Sequence, residues 1–404
     1  MQTLLLLGGS PHQAHAIRRA VAAGLRVVTC DNRPENPGHV FAHEYHEVST
    51  TDPEGVLDLA RRIGADGILA YASDPAVLTA AYVADRLGLP GDPLEAVRRA
   101  QDKLLLRGVQ LEVGLPTPDF VDASDDDAVR ELRRRHPEGI VVKPVDSSGS
   151  RGVTVVPVDA SSRSASDAID RAREQSRSGR VVAEAFWGPG LPESVGDVLV
   201  LDGRIRYLGL LTKVSIARPG LLPAPVGGGP FQHGRAGYDE VGRQVQRLVE
   251  SLGLRNGVYN FDLRIDAANE FAIIDFGARM GGTLVSFVYR ARDGIDLVAA
   301  CIDIAMGTPH EPAIEPTEPG HLSVLVVRTT RDGIFRELRL SQELTDMTIA
   351  SETAVARGQA VRAYRNSGDQ VGVVVIRSEV PDILRVIAED PERYFTVVLE
   401  EDVV

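Results

Sequence analysis

Lysine is nearly missing from this chain. Of its 44 basic residues only Lys103, Lys143 and Lys213 are lysine, and the rest are arginine. In such a sequence a retained lysine marks a place where a compact ammonium is required, unless the three fall where they do by chance. Runs of Lys and Arg are also absent. With a formal net charge of −13, nucleic acid and anionic membrane are not expected partners. Cysteine is confined to Cys30 and Cys301, which excludes a disulfide framework and a CxxC motif. No apolar run approaches the ~20 residues of a membrane span. The opening MQTLLLLGGS has no basic n-region and only a short apolar part, so it reads as a strand and not as a signal peptide. These absences lead to an expected cytoplasmic location.

What is present is globular in character. Apolar residues make up 43% and charged residues 25% of 404, and a prior of roughly 150 residues per domain gives two to four domains. Strand-like 3-TLLLLG-8, 26-RVVTCD-31, 44-EYHEVS-49 and 67-GILAY-71 alternate with helical stretches over the first 95 or so residues. That alternation predicts a parallel sheet with helices on its faces. Gly8-Gly9 followed by Asp31 hints at a dinucleotide site. The G-x-G-x-x-G spacing is absent, however, and a tight strand-to-helix turn explains the same glycines.

Farther on, residues 96–115 read as helical, and Pro116 and Pro118 end them. Residues 139–156 read as strand, small-residue loop, strand. A helix over about 164–178 and the strand 180–186 follow. A hairpin over 198–211 turns at Asp202-Gly203. A proline- and glycine-rich loop (218–230) precedes a helix over 238–253. This loop, with Gly227 to Gly229 and His233 beyond it, is either a substrate-side wall or a plain surface loop. Residues from about 311 to 404 are strand-rich again.

Two constellations carry chemistry. The loop 146-DSSGSRGV-153 sets small residues and glycines between strands, where backbone N–H groups can approach a phosphate. Lys143, amid Val141, Val142 and Pro144, is a phosphate ligand or a snorkelling edge residue. The second is the hairpin of 258–266 with 270–277. If its loop is Ala267–Glu270, Asp262 lies opposite Asp275, Arg264 opposite Ile273 and Asp266 opposite Phe271. Facing carboxylates repel, so the pairing predicts a divalent cation between them. Mg²⁺ suits, because one or two carboxylates plus substrate phosphates hold it. A register slipped by one would instead turn Asp262 to solvent.

Taken together, 102-DKLLLRGVQLEVGLPTP-118, 141-VVKPVDSSGSRGV-153, a strand ending in Glu184, and paired acidic residues closing with D-x-G-x-R-x-G-G resemble the ATP-grasp superfamily. The motifs run in family order over about 98–308. The N-terminal 31-DNRPENPGH-39, 49-STTD-52 and 71-YASDPA-76 look most like a bacterial carbamoyl-phosphate-synthase-like subgroup. The fold class this implies combines α/β and α+β parts: an N-terminal parallel α/β domain (1–97), an ATP-grasp domain (98–310) and a strand-rich C-terminal domain (311–404).

The resemblance also implies roles. Lys103 and Lys143 match the lysines that hold ATP phosphates, and Lys213 matches a third. Ser147, Ser148, Gly149, Ser150 and Gly152 match the loop that closes over the triphosphate. Glu184 with the backbone of Ala185, Phe186 and Trp187 matches the hinge that reads adenine, and Glu193 the glutamate on the ribose. Asp262 and Asp275 match the Mg²⁺ pair, where Mn²⁺ could also serve, and Arg279 matches the arginine that neutralises an acyl phosphate. Lys213 and Arg279 would be the catalytic pair.

Two departures stand out. Both metal positions are usually glutamate. Gly277 stands where asparagine is usual, although glycine is common in the subgroup. These changes bring the metal nearer the backbone, weaken one site or abolish catalysis.

The expected activity is ATP-dependent ligation of an amino-acid-like carboxylate to an amine, releasing ADP and phosphate, from a homodimer. The alternatives are a purine-type carboxylating enzyme using bicarbonate, and a nucleotide-binding module without turnover.

Overall fold

The computed structural model describes residues 1–187, 193–218, 221–265, 271–282, 285–315, 320–365 and 369–402; for 217, 218, 221–225 and 402 it describes backbone only. The N-terminal strands β1 (Thr3–Leu7), β2 (Arg26–Asp31), β3 (Glu44–Glu47) and β4 (Gly67–Leu69) form a parallel sheet in the order β3-β2-β1-β4. Both of its faces are covered, which is why β1 can be an unbroken apolar run. Leu4 and Leu6 pack with helix α1 (Pro11–Ala22), whereas Leu5 and Leu7 pack with α2 (Pro53–Ile63) and α3 (Asp74–Leu87). The first of these cores also takes in Leu297, Cys301 and Ile304, from a helix far along the chain, and so joins the N-terminal sheet to the rest of the molecule.

The stretch expected as one helix over 96–115 is two, α4 (Leu94–Gln101) and α5 (Lys103–Glu112). Asp102 ends one and caps the other, accepting from the N–H groups of Leu104 and Leu105. An N-cap carboxylate satisfies donors that no helical partner reaches. The break places Lys103 in the first turn of α5.

A small antiparallel sheet follows, in the order β5-β8-β6-β7, from β5 (Phe120–Asp122), β6 (Ile140–Pro144), β7 (Thr154–Val156) and β8 (Val181–Ala185). Helices α6 (Asp126–Arg135) and α7 (Ser162–Gln175) pack on it through Val129, Leu132, Ala168 and Ile169. The loop 146–153 leaves β6 and enters β7.

The main body is an eight-stranded antiparallel sheet. Its order begins β13-β12-β9-β10-β11, from β9 (Glu193–Leu201), β10 (Arg204–Arg218), β11 (Leu221–Pro230), β12 (Gly257–Ile265) and β13 (Phe271–Gly277). The β9–β10 turn falls at Asp202-Gly203, as the sequence predicts. Both residues have positive φ, 52° and 74°, which the right-handed twist of a tight hairpin demands. The stretch 218–230, expected as a loop, is largely the strand β11, paired with β10 on one side and with β14 (His321–Val327) on the other. The helix after it, α8 (Gly234–Leu252), begins four residues earlier than expected.

Beyond β14 the same sheet continues through the strand Gly372–Ser378 to the strand Thr348–Thr353. One sheet therefore runs across residue 310, where a domain boundary is expected. Among the described residues, no helix is long and apolar enough to cross a membrane.

Candidate active site

The small sheet and the large sheet together line a cavity of about 440 Å³. Asp262 on β12 and Asp275 on β13 face each other at its edge, directly paired in register. The pairing expected for the next residues fails. A bulge between Asp262 and Leu263 shifts the ladder, so Leu263 lies opposite Ile273, Arg264 opposite Ala272, and Phe271 opposite Ile265. Bulges of this kind turn backbone groups away from the ladder, and here the Ile274 carbonyl accepts from Arg107 Nη2 at 2.5 Å and from Lys143 Nζ at 3.4 Å. Asp266 and the hairpin loop at Ala267–Glu270 lie outside the described residues.

All three lysines converge on this cavity, each against a carboxylate. Lys103 Nζ is 3.1 Å from Asp275, and it also donates to the Ser147 carbonyl at the start of the phosphate-type loop. Lys143 Nζ is 2.6 Å from Glu184. Lys213 Nζ is 2.9 Å from Asp262 and 3.4 Å from Glu193.

The titration of these groups follows from burial and pairing. Burial would raise the Asp275 carboxyl, but Lys103 and Lys143 override it and hold the group below the usual range. Burial raises Asp262, helped by Glu193 and Asp275, and Lys213 only partly offsets this. Burial works against the Lys213 charge, yet Asp262 and Glu193 hold its proton more firmly than usual. Lys143 moves the other way, lowered by burial despite Glu184. The two facing aspartates are thus unequally matched with lysine, and Asp262 still exposes 28% of its side chain.

That imbalance fits a divalent cation. No group of three His, Cys, Asp or Glu side chains able to hold a metal occurs among the described residues. The donor set is the two facing aspartates, the number Mg²⁺ takes from a protein when phosphate and water oxygens complete its octahedron.

The loop over 147–152 has the backbone of a phosphate cradle. Gly149, Ser150 and Gly152 all have positive φ, turning successive N–H groups to one side. Ser147, Ser148, Gly149 and Ser150 line the cavity. Asp146 anchors the loop by accepting from the N–H groups of Arg177 and Ser178.

Glu184 is the last residue but one of β8, and it lines the same cavity with Ala185, Phe186 and Trp187. Its carboxylate is already engaged. Arg107, fully buried on α5, grips it through Nε at 3.1 Å and Nη2 at 3.2 Å, with Lys143 alongside. Those cations hold Glu184 below the ordinary range against the opposing effect of its burial. Glu193 begins β9, and Arg264 stacks over the Phe186 ring at 5.3 Å. His233 caps α8 and does not line the cavity.

Arg279 follows β13, and its partner comes from the N-terminal part. Its Nη2 lies 2.5 Å from Asp74 at the start of α3, and both side chains are largely buried. Its Nε is buried with no hydrogen-bond partner among the described residues. A side chain at Gly277 would start 3.2 Å from the Arg279 guanidinium carbon and 3.2 Å from Asp74 Oδ1. Glycine is therefore fitted to the ion pair that covers it.

Four functional neighbours are missing from the sequence reading. Arg107 and Asp74 are two. Asp197 on β9 is fully buried and accepts from the Gly281 N–H at 2.6 Å, Asn260 Nδ2 at 3.3 Å and the Tyr289 hydroxyl at 3.3 Å. Burial pushes its carboxyl up to about 6. Gln370 lines the far end of the cavity and meets His12 at 3.2 Å. Asp197 alone leaves a signal, as a lone carboxylate in the apolar run 195–201.

No protein-family model matches the chain. The formate-dependent phosphoribosylglycinamide formyltransferase of Burkholderia cenocepacia (strain HI2424) is 28% identical over 329 residues, covering 77% of this chain and 78% of that protein. The solved L-amino acid ligase from Bacillus licheniformis matches with a TM-score of 0.80 at 19% identity, over 99% of each chain. The biotin carboxylase domain of Hydrogenobacter thermophilus 2-oxoglutarate carboxylase, a dimer in complex with MgADP, ADP and bicarbonate, matches with a TM-score of 0.78 at 16% identity. That match covers 98% of this chain and 90% of the other.

Proposed function

We propose that the chain, similar over most of its length to the proteins just described, is an ATP-grasp protein and an ATP-dependent ligase joining a small carboxylic acid to an amine. The observation that carries the reading is the convergence of its three lysines on one cavity around the facing pair Asp262 and Asp275. A triphosphate needs that density of compact cations. Phosphate chemistry accounts for why a chain that uses arginine everywhere else keeps lysine there.

A carboxylate oxygen of the acid attacks the γ-phosphorus of ATP, and the bond to the β-phosphate oxygen breaks to leave ADP. The amine nitrogen then attacks the acyl carbon of the acyl phosphate, phosphate leaves, and the nitrogen loses a proton. No protein nucleophile is needed, so the protein's work is positioning and charge stabilisation. Lys103, Lys143 and Lys213 hold the phosphates, the loop 147–152 closes over them, and the backbone of Ala185 to Trp187 takes the adenine with Glu193 near the ribose. Asp262 and Asp275 hold Mg²⁺, which when bound neutralises phosphate charge. The unpartnered Nε of Arg279 is a donor in reserve for an anionic oxygen on the acyl phosphate. The protein acts on small molecules in the cytoplasm, as a homodimer.

The test is ADP release from purified protein with ATP, Mg²⁺ and a matrix of acids and amines, with mass spectrometry of products. Failure to bind MgATP at millimolar concentration sinks the reading. A second reading, with formate as the acid, is favoured by the similarity to the formate-dependent formyltransferase at 28% identity; bicarbonate, which the biotin carboxylase domain holds, is its variant. Turnover that requires formate or bicarbonate and ignores larger acids selects it.

A further inference from the structure

Strands β10, β11 and β14 lie side by side, and Lys213, Gly228 and Val324 are directly opposite one another across them. Directly opposed residues in antiparallel strands point to the same face. That face is the one on which Lys213 meets Asp262 and Glu193. Leu211 and Val326, each two residues along its strand, share it. With Val195 and Val285 they line the cavity beside the Lys213 ammonium. The patch is aliphatic throughout, and at its centre Gly228 contributes no side chain.

The neighbouring glycine has a local cause. A Cβ at Gly227 would stand 1.8 Å from the Val324 carbonyl oxygen, so no other residue fits. Gly228 has no such cause. It is not among the glycines of positive φ, and a Cβ there would meet only Leu211, at 3.2 and 3.3 Å, which must give by a few tenths of an ångström. Glycine inside a strand costs stability and commonly marks the close approach of a ligand. Gly228 lines the cavity within the row that begins at Lys213, with Leu211 leaning over it from one side, and on the ligase reading the γ-phosphate and the acid meet next to this row.

We propose that this recess is the side-chain pocket of the acid substrate, that the acid carries an apolar side chain, and that Gly228 sets the size admitted. The proposal rests on the ligase reading. The acid's carboxylate faces Lys213 and Arg279, and its side chain lies over Gly228 against Leu211, Val324 and Val326. A charged side chain is disfavoured over Gly228, because the aliphatic groups around it offer no partner and water would be displaced from it.

The experiment uses the full chain and its G228V and V326A variants. The acids are acetate, alanine, valine, leucine, phenylalanine, aspartate and arginine with one fixed amine. ADP release gives kcat/KM, and calorimetry in the presence of MgADP gives the binding of each acid. In wild type, kcat/KM rises from acetate to leucine, roughly ten-fold or more per added branch, and aspartate and arginine stay at background. The leucine-to-alanine ratio falls at least ten-fold in G228V and shifts toward leucine and phenylalanine in V326A, which carries the test if G228V does not fold.

Equal loss for every acid in both variants, or a wild-type preference for a charged acid, overturns the proposal. Apolar acids that bind with MgADP without turnover defeat the ligase reading and leave the pocket standing. Apolar acids that neither bind nor turn over, with MgADP itself bound, defeat the pocket.

Discussion

Asp74 and Arg279 are 205 residues apart in the chain and 2.5 Å apart in the molecule. Asp74 starts a helix of the N-terminal part, and Arg279 follows the strand that carries Asp275. The pair fills the space above Gly277, where a Cβ would stand 3.2 Å from each of its members. Residue 277 therefore makes an exchange, giving up a side chain and leaving its space to a polar pair of which one member arrives from another part of the chain.

The exchange predicts that G277N harms the protein by displacing the Arg279–Asp74 pair. We expect ADP release to fall at least ten-fold in G277N and to recover partly in the double variant D74A/G277N, where the new side chain has room. A G277N enzyme as fast as wild type disproves the coupling. Melting curves separate misfolding from a displaced arginine.

Arg107 grips Glu184 and donates to the carbonyls of Ile273 and Ile274. R107M leaves a buried carboxylate with only Lys143 beside it. A loss of about 3–5 kcal/mol of unfolding free energy is the usual cost of breaking a buried pair from one side. Urea denaturation measures it. Adding E184Q to R107M should return part of that loss, since the two residues act together.

Asp197 gives a pH prediction. Its carboxyl sits near 6 in the folded protein, against ~3.9 in an unfolded chain. The charges and titratable groups around it are Arg279, Tyr289, Tyr71 and Cys301. The folded state holds the proton more tightly, so the stability this contributes is full below ~3.9 and is lost as pH rises through about 6. D197N cannot ionise. Its melting temperature relative to wild type should climb between pH 4 and 7.5, corresponding to at most about 3 kcal/mol. A flat difference across that range means that Asp197 does not titrate there.

If the facing aspartates hold the cation, D262N and D275N weaken Mn²⁺ binding measured by electron paramagnetic resonance with ADP present. We expect at least a ten-fold loss of Mn²⁺ affinity in each, about 1.4 kcal/mol. Metal-free ADP binding should change far less. Unaltered Mn²⁺ binding in both variants places the cation elsewhere.

What the sequence reveals here, and what it hides, divides by distance along the chain. The parallel N-terminal sheet is legible because strand and helix periods alternate locally. The facing of Asp262 and Asp275 is legible because period-two alternation and a short loop fix a hairpin register. The bulge at Ile274 leaves no local mark, and it defeats the register one residue later. Strand β11 hides behind Pro223, Pro225 and three glycines, which lower strand propensity; its pairing comes from β10 and β14 on either side. Arg107 and Asp74 escape because their partners lie 77 and 205 residues away. A salt bridge of that span has no signature in composition or spacing.

The scarcity of lysine has a practical consequence for chemical probing. Side-chain amines occur at three positions only, and all three line the cavity. Lys103 and Lys143 are less than a tenth exposed. Amine-directed reagents, which normally decorate a protein's whole exterior, have no lysine outside this cavity to modify. Acylation of a lysine in this chain is therefore a report on the cavity itself, and protection by nucleotide can be assigned residue by residue by peptide mapping, which sets the N-terminal amine apart.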